Sequence, residues 1–454
     1  MSATWLFRVR PTDGADTHWG AGRHPDLNED GFDDLVMYST RDALVHQGIT
    51  GRSPFFIYHG APQGLTPQPT QRLAIPTELD FVNSQYYAPL VRILDADGDG
   101  IQDLVTAPFA SRRINPSRIE IYRGGEEVSP TPNVFSDPTM NYGTLMSFHG
   151  DVDSDGLPDL VFMQGERRLV ESFSVASSRE LRRSTAALSL APAVPNVDDR
   201  FRVAGDVDGD GRPELVAGVH VGDSRVRTRD GQVTLALLTR LGATGGSVLR
   251  SLSAQEVYYV WSVIADGDLN GDGLADIGMV QSGGFRDGRF SSAALDLVVF
   301  LGQRDLAQIR PQVVPLTSPA DDHLLAAYAV FGDFNGDGRD EVAIRNVPVS
   351  QGGDSALWCV VRIFPSDLSG VVSDIPIQEW RIPDCIEWNP VLSAADYDGD
   401  GFDDLALFEV RSTGLTPRHK PGFFYYHVTV HPGSPQGIRM PSSVILLDPF
   451  APRR

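Results

Sequence analysis

Residues 396–408 read DYDGDGFDDLALF. Aspartates stand at the first, third, fifth and ninth places (Asp396, Asp398, Asp400, Asp404), a glycine stands at the sixth, and an aliphatic run follows at once. The pattern D-x-[DN]-x-D-G-x-x-[DE], followed by an aliphatic residue, begins again at Asp26, Asp95, Asp151, Asp206, Asp268 and Asp333. Successive starts lie 55 to 69 residues apart. That is about one four-stranded sheet with its connections, repeated almost end to end. A chain of 454 residues would otherwise suggest two to four domains at roughly 100–200 residues each. The in-phase repeat merges them into a single domain, 1–454.

Each motif runs into a short apolar segment such as Leu104-Val-Thr-Ala107 or Leu405-Ala-Leu-Phe408, and most follow another, such as Leu90-Val-Arg-Ile-Leu94. Short apolar runs bounded by turn residues read as buried strands, so each acidic loop joins two strands, A and B, of a hairpin. A third run, C, follows in most units, as in Phe55-Phe-Ile-Tyr58 and Leu295-Asp-Leu-Val-Val-Phe300, and a weaker fourth, D, as in Gln378-Glu-Trp-Arg-Ile-Pro383. The fold class expected is all-β: a seven-bladed β-propeller of four-stranded antiparallel blades with calcium-binding A–B hairpin loops. In blade 1 the A strand is expected within Thr17–His24. The unassigned N-terminal strand, residues 4–9, is expected to close the ring against the C-terminal blade near Ser443-Val-Ile-Leu-Leu447, covering an exposed sheet edge.

These residues resemble the FG-GAP or VCBS repeat family, which builds the seven-bladed propeller at the head of integrin α subunits. The Phe-Gly element stands before the motif at Phe331-Gly332, and the Ala-Pro ending follows strand B at Ala107-Pro108. The resemblance implies calcium in the loops, a backbone carbonyl near loop position 7 among the ligands, and ligand docking on the face away from them.

The residues support the metal independently. Converging carboxylates and a tight turn at glycine offer several hard oxygens to a cation that takes six to eight of them, as calcium does. Magnesium wants a smaller octahedral site, and transition metals favour His or Cys. An EF-hand is excluded, because its twelfth-position Glu is replaced by Met37, Thr106, Phe162, Ala217, Met279, Ile344 and Leu407. The candidate ligands are Asp26, Asn28, Asp30 and Asp34; Asp95, Asp97, Asp99 and Asp103; Asp151, Asp153, Asp155 and Asp159; Asp206, Asp208, Asp210 and Glu214; Asp268, Asn270, Asp272 and Asp276; Asp333, Asn335, Asp337 and Glu341; and Asp396, Asp398, Asp400 and Asp404. They provide for up to seven calcium ions. Asn at position 3 lowers the ligand charge in blades 1, 5 and 6, so blades 2, 3 and 7 are expected to bind most tightly. Glu214 and Glu341 reach further than Asp and are expected to bind differently.

The loops also explain the composition. Of 60 acidic side chains, 25 stand at these positions, so the formal charge of −22 becomes +3 without them. The acidity therefore signals metal ligands. The B–C connections, at the opposite strand ends, carry sixteen basic and seven acidic side chains. Arg112, Arg113, Arg167, Arg168, Arg225, Arg227, Arg286, Arg289 and Arg418 mark a candidate ligand face for a protein or an anionic glycan, steered by the local field. No interleaved basic and aromatic pattern points to nucleic acid.

No apolar run approaches the roughly 18 residues needed to span a bilayer. The first ten residues lack a basic segment followed by an apolar core, so the chain as given shows no secretory signal. Cys359 and Cys385 are the only cysteines. Cys359 falls on a C strand and Cys385 just beyond the D strand of the same blade, within reach of one disulfide that would suit an oxidising compartment. Extracellular, cell-surface or periplasmic location follows as the expectation. No Gly-x-Ser-x-Gly, Walker, Rossmann or His-Glu-x-x-His pattern occurs, so an enzyme is the less favoured reading. The expected function is a calcium-stabilised extracellular binding or adhesion propeller. The alternatives are a polysaccharide-degrading lyase or hydrolase built on the propeller, and a structural module of a larger surface assembly. Oligomeric state is left open.

Overall fold

A computed structural model describes residues 9–11, 25–39, 54–74, 90–107, 118–136, 144–146, 152, 159–164, 169–177, 180–183, 188–189, 197–219, 233–240, 246–254, 259–282, 285–286, 289–290, 295–316, 324–348, 358–383, 392–412, 424–440 and 444–447. Nearly every element is a strand.

Blade 1 holds β1 (Val9–Pro11), β2 (Leu35–Ser39), β3 (Pro54–Tyr58) and β4 (Gln71–Ala74). Blade 2 holds β5 (Leu90–Leu94), β6 (Asp103–Ala107), β7 (Arg118–Tyr122) and β8 (Asn133–Ser136). The third repeat supplies β9 (Thr144–Met146), β10 (Asp159–Gln164), β11 (Leu169–Ser177), β12 (Glu180–Arg183) and β13 (Leu188–Ser189). Blade 4 follows with β14 (Val197–Gly205), β15 (Glu214–Val219), β16 (Val233–Arg240) and β17 (Ser247–Ala254). Blade 5 is β18 (Tyr259–Gly267), β19 (Asp276–Ser282), β22 (Leu295–Phe300) and β23 (Pro311–Pro315), with a two-stranded ribbon, β20 (Phe285–Arg286) and β21 (Arg289–Phe290), in its B–C connection. Blade 6 is β24 (Leu324–Gly332), β25 (Glu341–Pro348), β26 (Trp358–Phe364) and β27 (Gln378–Pro383). Blade 7 is β28 (Leu392–Ala395), β29 (Asp404–Ser412), β30 (Phe424–His431) and β31 (Val444–Leu447).

Within each blade the strands pair antiparallel in chain order. The protein is an all-β propeller, but six blades are four-stranded where seven were expected. The third repeat folds instead as a five-stranded sheet. Its β11 is long: β12 pairs from Phe173 to Ser177, and β13 pairs with Leu169 and Val170, the part that β12 leaves uncovered. Covering that stretch satisfies backbone groups that would otherwise form an open edge.

The inner strands are apolar on both faces because each sheet is stacked between two others. In β22, for example, five of the six residues are buried and Asp296 alone is half-buried. Leu27, Val36, Phe55, Ile93, Leu104 and Tyr122 join blades 1 and 2 in one core cluster. Ile121, Phe135, Leu160 and Phe173 join blade 2 to the third sheet. Further clusters link blades 4 and 5, 5 and 6, and 6 and 7, while β9 lies beside β14.

Residues 17–24 and 4–8 lie outside the described residues. Val9 opens β1, which pairs with β2 as the A strand of blade 1, and the outer strand of blade 7 is β31. Hydrogen bonds from the acidic loop and the C–D turn of blade 1 to the acidic loop of blade 7 join the last blade to the first: Asp33 N donates to Asp396 O at 3.1 Å and Ala61 N to Tyr397 O at 3.1 Å.

Candidate metal centres and the seam between them

The six described acidic loops share one hydrogen-bond scheme. The carboxylate at position 1 accepts amides from position 6 and, in most loops, position 5. In blade 7, Asp400 N and Gly401 N donate to Asp396 at 3.0 and 2.9 Å; in blade 4, Asp210 N and Gly211 N donate to Asp206 at 3.1 and 2.8 Å. Position 3 accepts from the amide of position 5 in every described loop but that of blade 2, and position 5 accepts from that of position 7, as with Asp398 and Asp400. These turns need a left-handed residue at position 4, and Gly399 (φ 70°) supplies it without the clash that a Cβ would bring. Blade 1 places Glu29 there at φ 56°.

In blades 4 and 7 the Asp side chains at positions 3 and 5 each give one oxygen to these amides and keep the other free of the loop backbone. Oxygens of Asp95, Asp97 and Asp99 lie within 4.8 Å of one another, as do those of Asp206, Asp208 and Asp210 and of Asp396, Asp398 and Asp400. Burial and the field of Asp99 push the Asp97 carboxyl up, and burial with Asp400 does the same for Asp398. Asp97 Oδ1 is buried with no hydrogen-bond partner. A hard divalent cation fits this donor set: preformed oxygens, one of them unsatisfied, whose mutual repulsion an ion would relieve. In blades 1 and 5, Asn28 and Asn270 instead bond to Asp30 and Asp272 at 2.9 and 3.0 Å. Of the third loop only Val152 and Asp159 are described; Asp151, Asp153 and Asp155 lie outside the described residues.

The position-9 carboxylate lies beneath its loop, buried, and links the hairpin to the C–D turn. Its first partner is always the amide of position 2: Leu27 N to Asp34 at 2.8 Å, Leu269 N to Asp276 at 2.8 Å, Tyr397 N to Asp404 at 3.2 Å. In blades 1, 2, 5 and 7, where the residue is Asp, the other oxygen takes the amide of a glycine just past strand C: Gly60 at 3.0 Å, Gly124 at 3.0 Å, Gly302 at 2.7 Å and Gly433 at 2.9 Å. Where it is Glu, the longer side chain turns elsewhere: Glu214 meets Arg240 and Glu341 meets Asn335. Burial raises all of these acids, Asp103, Glu214 and Asp276 to about 7 and Glu341 and Asp404 to about 8. His59 bonds to Asp34 at 3.0 Å; burial alone would lower its pKa, but Asp34, Asp30 and Asp26 outweigh this and raise it.

Position 8, which the sequence pattern leaves free, makes the seam between blades. In blades 1, 5, 6 and 7 its amide donates to the position-1 carbonyl of the preceding blade, as with Ala275 to Asp206 at 2.9 Å, Asp340 to Asp268 at 2.9 Å and Asp403 to Asp333 at 2.9 Å; in the third repeat and blade 4 the place is held by Pro158 and Pro213, which have no amide hydrogen to give. In blades 1, 6 and 7 the residue is Asp, and its carboxylate also accepts the position-1 amide of that blade. Asp396 N reaches Asp33 at 2.6 Å, Asp268 N reaches Asp340 at 2.7 Å and Asp333 N reaches Asp403 at 2.9 Å. The visible signal was an acidic doublet before strand B, Asp33-Asp34, Asp340-Glu341 and Asp403-Asp404. The residue after the strand-C glycine adds a second tie, as when Gln303 N donates to Val207 O and Ser434 N to Phe334 O.

The candidate ligand-face arginines lie outside the described residues, except that the backbones of Arg286 and Arg289 face one another across the β20–β21 ribbon. Cys359 is disulfide-bonded, and Cys385 is the only other cysteine of the sequence. Among the described residues no helix is long and apolar enough to cross a membrane.

A blade-like repeat of strand, acidic loop and strand, joined loop to loop around a ring, defines the class. The FG-GAP repeat family matches residues 203–235, which cover the end of β14, the fourth acidic loop and the start of β16. Integrin alpha-IIb of Mus musculus is 27% identical over 116 residues, 26% of this chain and 10% of the relative; integrin alpha-10 of Homo sapiens is 32% identical over 112 residues, 24% and 9% respectively. The chain thus spans about a tenth of the length of these relatives. The family match and the two relatives support an FG-GAP-repeat, integrin-like propeller.

Proposed function

We propose that this chain is a calcium-stabilised extracellular binding propeller, folded as one domain over 1–454, which docks a protein or an anionic glycan on the face opposite the acidic loops. The observation that carries the metal half is the second loop, where Asp95, Asp97 and Asp99 converge and Asp97 Oδ1 is buried without a partner. Positions 1, 3 and 5 hold the ion, and position 9 closes the site from below, across the blades that have it. Antiparallel order sends the B–C connections to the other end of the strands, where basic residues outnumber acidic ones. A partner of negative potential suits that end. The Cys359 disulfide agrees with an oxidising compartment, and the likeness to integrin α chains agrees with a binding role.

Thermal unfolding in calcium, in magnesium and in chelator, with bound metal counted by elemental analysis, tests the first half. A calcium-specific rise in midpoint with several ions per chain is expected; no metal and no shift would remove it. Salt-sensitive retention on an immobilised anionic polysaccharide, lost on Arg112→Glu with Arg113→Glu, tests the second half.

A further inference from the structure

The residue at the end of strand C, one past the partner of the first residue after position 9, occupies one structural place in blades 2, 4, 5 and 7. Strand register fixes it: Leu215 pairs with Thr239 in blade 4 as Leu104 pairs with Tyr122 in blade 2, Ile277 with Phe300 in blade 5 and Leu405 with His431 in blade 7. The next residues are Arg240, Arg123, Leu301 and Pro432. This place overhangs the acidic loop, so its side chain decides what the loop's inward oxygens meet.

In blade 4 they meet a guanidinium. Arg240 Nη2 donates to Asp208 at 2.8 Å, Nη1 to Asp210 at 2.7 Å and Nε to Glu214 at 2.7 Å, and Nη2 also reaches Glu214. Those partners are positions 3, 5 and 9, three of the oxygen sources a cation would use. A planar guanidinium with a fixed fork of donors suits several carboxylates at once, and charge-assisted bonds are the stronger kind. Arg240 is mostly buried, with 19% of its side chain exposed, whereas Arg123 in blade 2 touches Asp97 and keeps 53% exposed. The Glu at position 9 belongs to the same arrangement, since its extra methylene lets Glu214 reach Arg240 instead of a turn glycine. The carboxylates of Asp208 and Glu214 act on Arg240 in return, and its pKa is raised despite burial.

We propose that Arg240 is a built-in cation that takes the place of calcium in the fourth loop, so that blade 4 closes without metal while its neighbours depend on it. A divalent ion entering this loop must first break the bonds to Asp208, Asp210 and Glu214 and then sit beside a fixed positive charge. The fourth loop has four carboxylates, as many as any other, so ligand charge alone would rank it among the tightest sites. The overhanging residue reverses that ranking.

This inference rests on the calcium reading above, and the experiment separates the two. Calcium per chain is counted by elemental analysis and calorimetric titration for the wild type, for Arg240→Gln and for Pro432→Arg combined with Asp404→Glu, which gives blade 7 both parts of the blade 4 arrangement, a guanidinium over the loop and the longer acid at position 9. Arg240→Gln should bind one more ion than the wild type, and its midpoint in chelator should fall while recovering in calcium. The double variant in blade 7 should bind one ion fewer. If the wild type binds no calcium, the metal reading itself fails. If the wild type binds calcium but Arg240→Gln binds the same number, Arg240 is not a substitute ion. Should Arg240→Gln not fold, the double variant decides: one ion lost supports the proposal, and an unchanged count overturns it.

Discussion

Replacing Gly433 with alanine tests whether the turn after strand C locks the loop and the seam together. A Cβ at this place would lie 2.5 Å from Asp403 O, 2.6 Å from Phe402 Cβ and 3.1 Å from Phe334 O. Two of those atoms are backbone carbonyls, one in its own hairpin and one in blade 6, so no side chain can rotate out of the way. Forcing atoms into packed surroundings costs about 1–3 kcal/mol. The same displacement lengthens Gly433 N to Asp404 Oδ1, now 2.9 Å, and Ser434 N to Phe334 O, now 3.1 Å. A hydrogen bond to a charged acceptor contributes about 1.5–3 kcal/mol and a neutral one about 1 kcal/mol. A loss of about 3 kcal/mol or more is therefore expected in urea unfolding at saturating calcium. The control is Gly401→Ala in the same blade. Gly401 has φ 86° with nothing within 4 Å of its would-be Cβ, so it tests left-handed strain alone, about 1–2 kcal/mol. If Gly433→Ala loses less than Gly401→Ala, the steric argument is wrong and the turn is not a lock.

Asp33→Ala should cost about 1–3 kcal/mol by leaving the Asp396 amide without its acceptor, while Asp33→Asn, which keeps a side-chain oxygen, should lose much less; equal losses in urea unfolding would refute the seam's acceptor role. In chelator, stability should fall as pH rises from about 4 to about 8 and level off above that. Asp404 and Glu341 sit at about 8 and Asp103, Glu214 and Asp276 at about 7 in the fold, above their unfolded values near 4, so the folded state holds protons that the unfolded state has released. That contribution is complete below about pH 4 and is gone once pH has passed the folded values of about 7 to 8. Calcium, which keeps carboxylates ionised, should flatten the slope, and thermal midpoints across the pH range with and without calcium check this. Reduction of the Cys359 disulfide should lower the midpoint in chelator and in calcium alike, since blade 6 carries it independently of any loop; protection by calcium alone would contradict this.

The sequence shows the hairpins plainly because the acidic motif and the apolar run after it are local. Strand B begins at position 9 itself in six repeats, at Asp103, Asp159, Glu214, Asp276, Glu341 and Asp404, and one residue later in blade 1, at Leu35. What could not be read depends on a neighbour in space. Position 8 has no local requirement, and its Asp33, Asp340 and Asp403 gain meaning only when the previous blade presents an amide. Likewise β13 exists because β11 outruns β12, a length mismatch that neither strand's residues announce alone. The first A strand was misplaced toward Thr17–His24 for a similar reason. Val9–Pro11 is three residues long, and its only credential is the partner it finds in β2. The role of Glu at position 9 was half visible: its greater reach was legible, but not that Arg240 and Asn335 would be waiting.

The junction of blades 7 and 1 uses the same amide-to-carbonyl tie, in the same direction, as the junctions of blades 4 with 5, 5 with 6 and 6 with 7, which follow one another in the chain. Seen from these loops, the junction between the last blade and the first is made like those between chain neighbours. New ends cut into the B–C connection of blade 5, 6 or 7, with the original ends joined, should therefore leave these four ties intact, and for this half of the ring the order in which the blades are synthesised becomes a matter of history rather than of architecture.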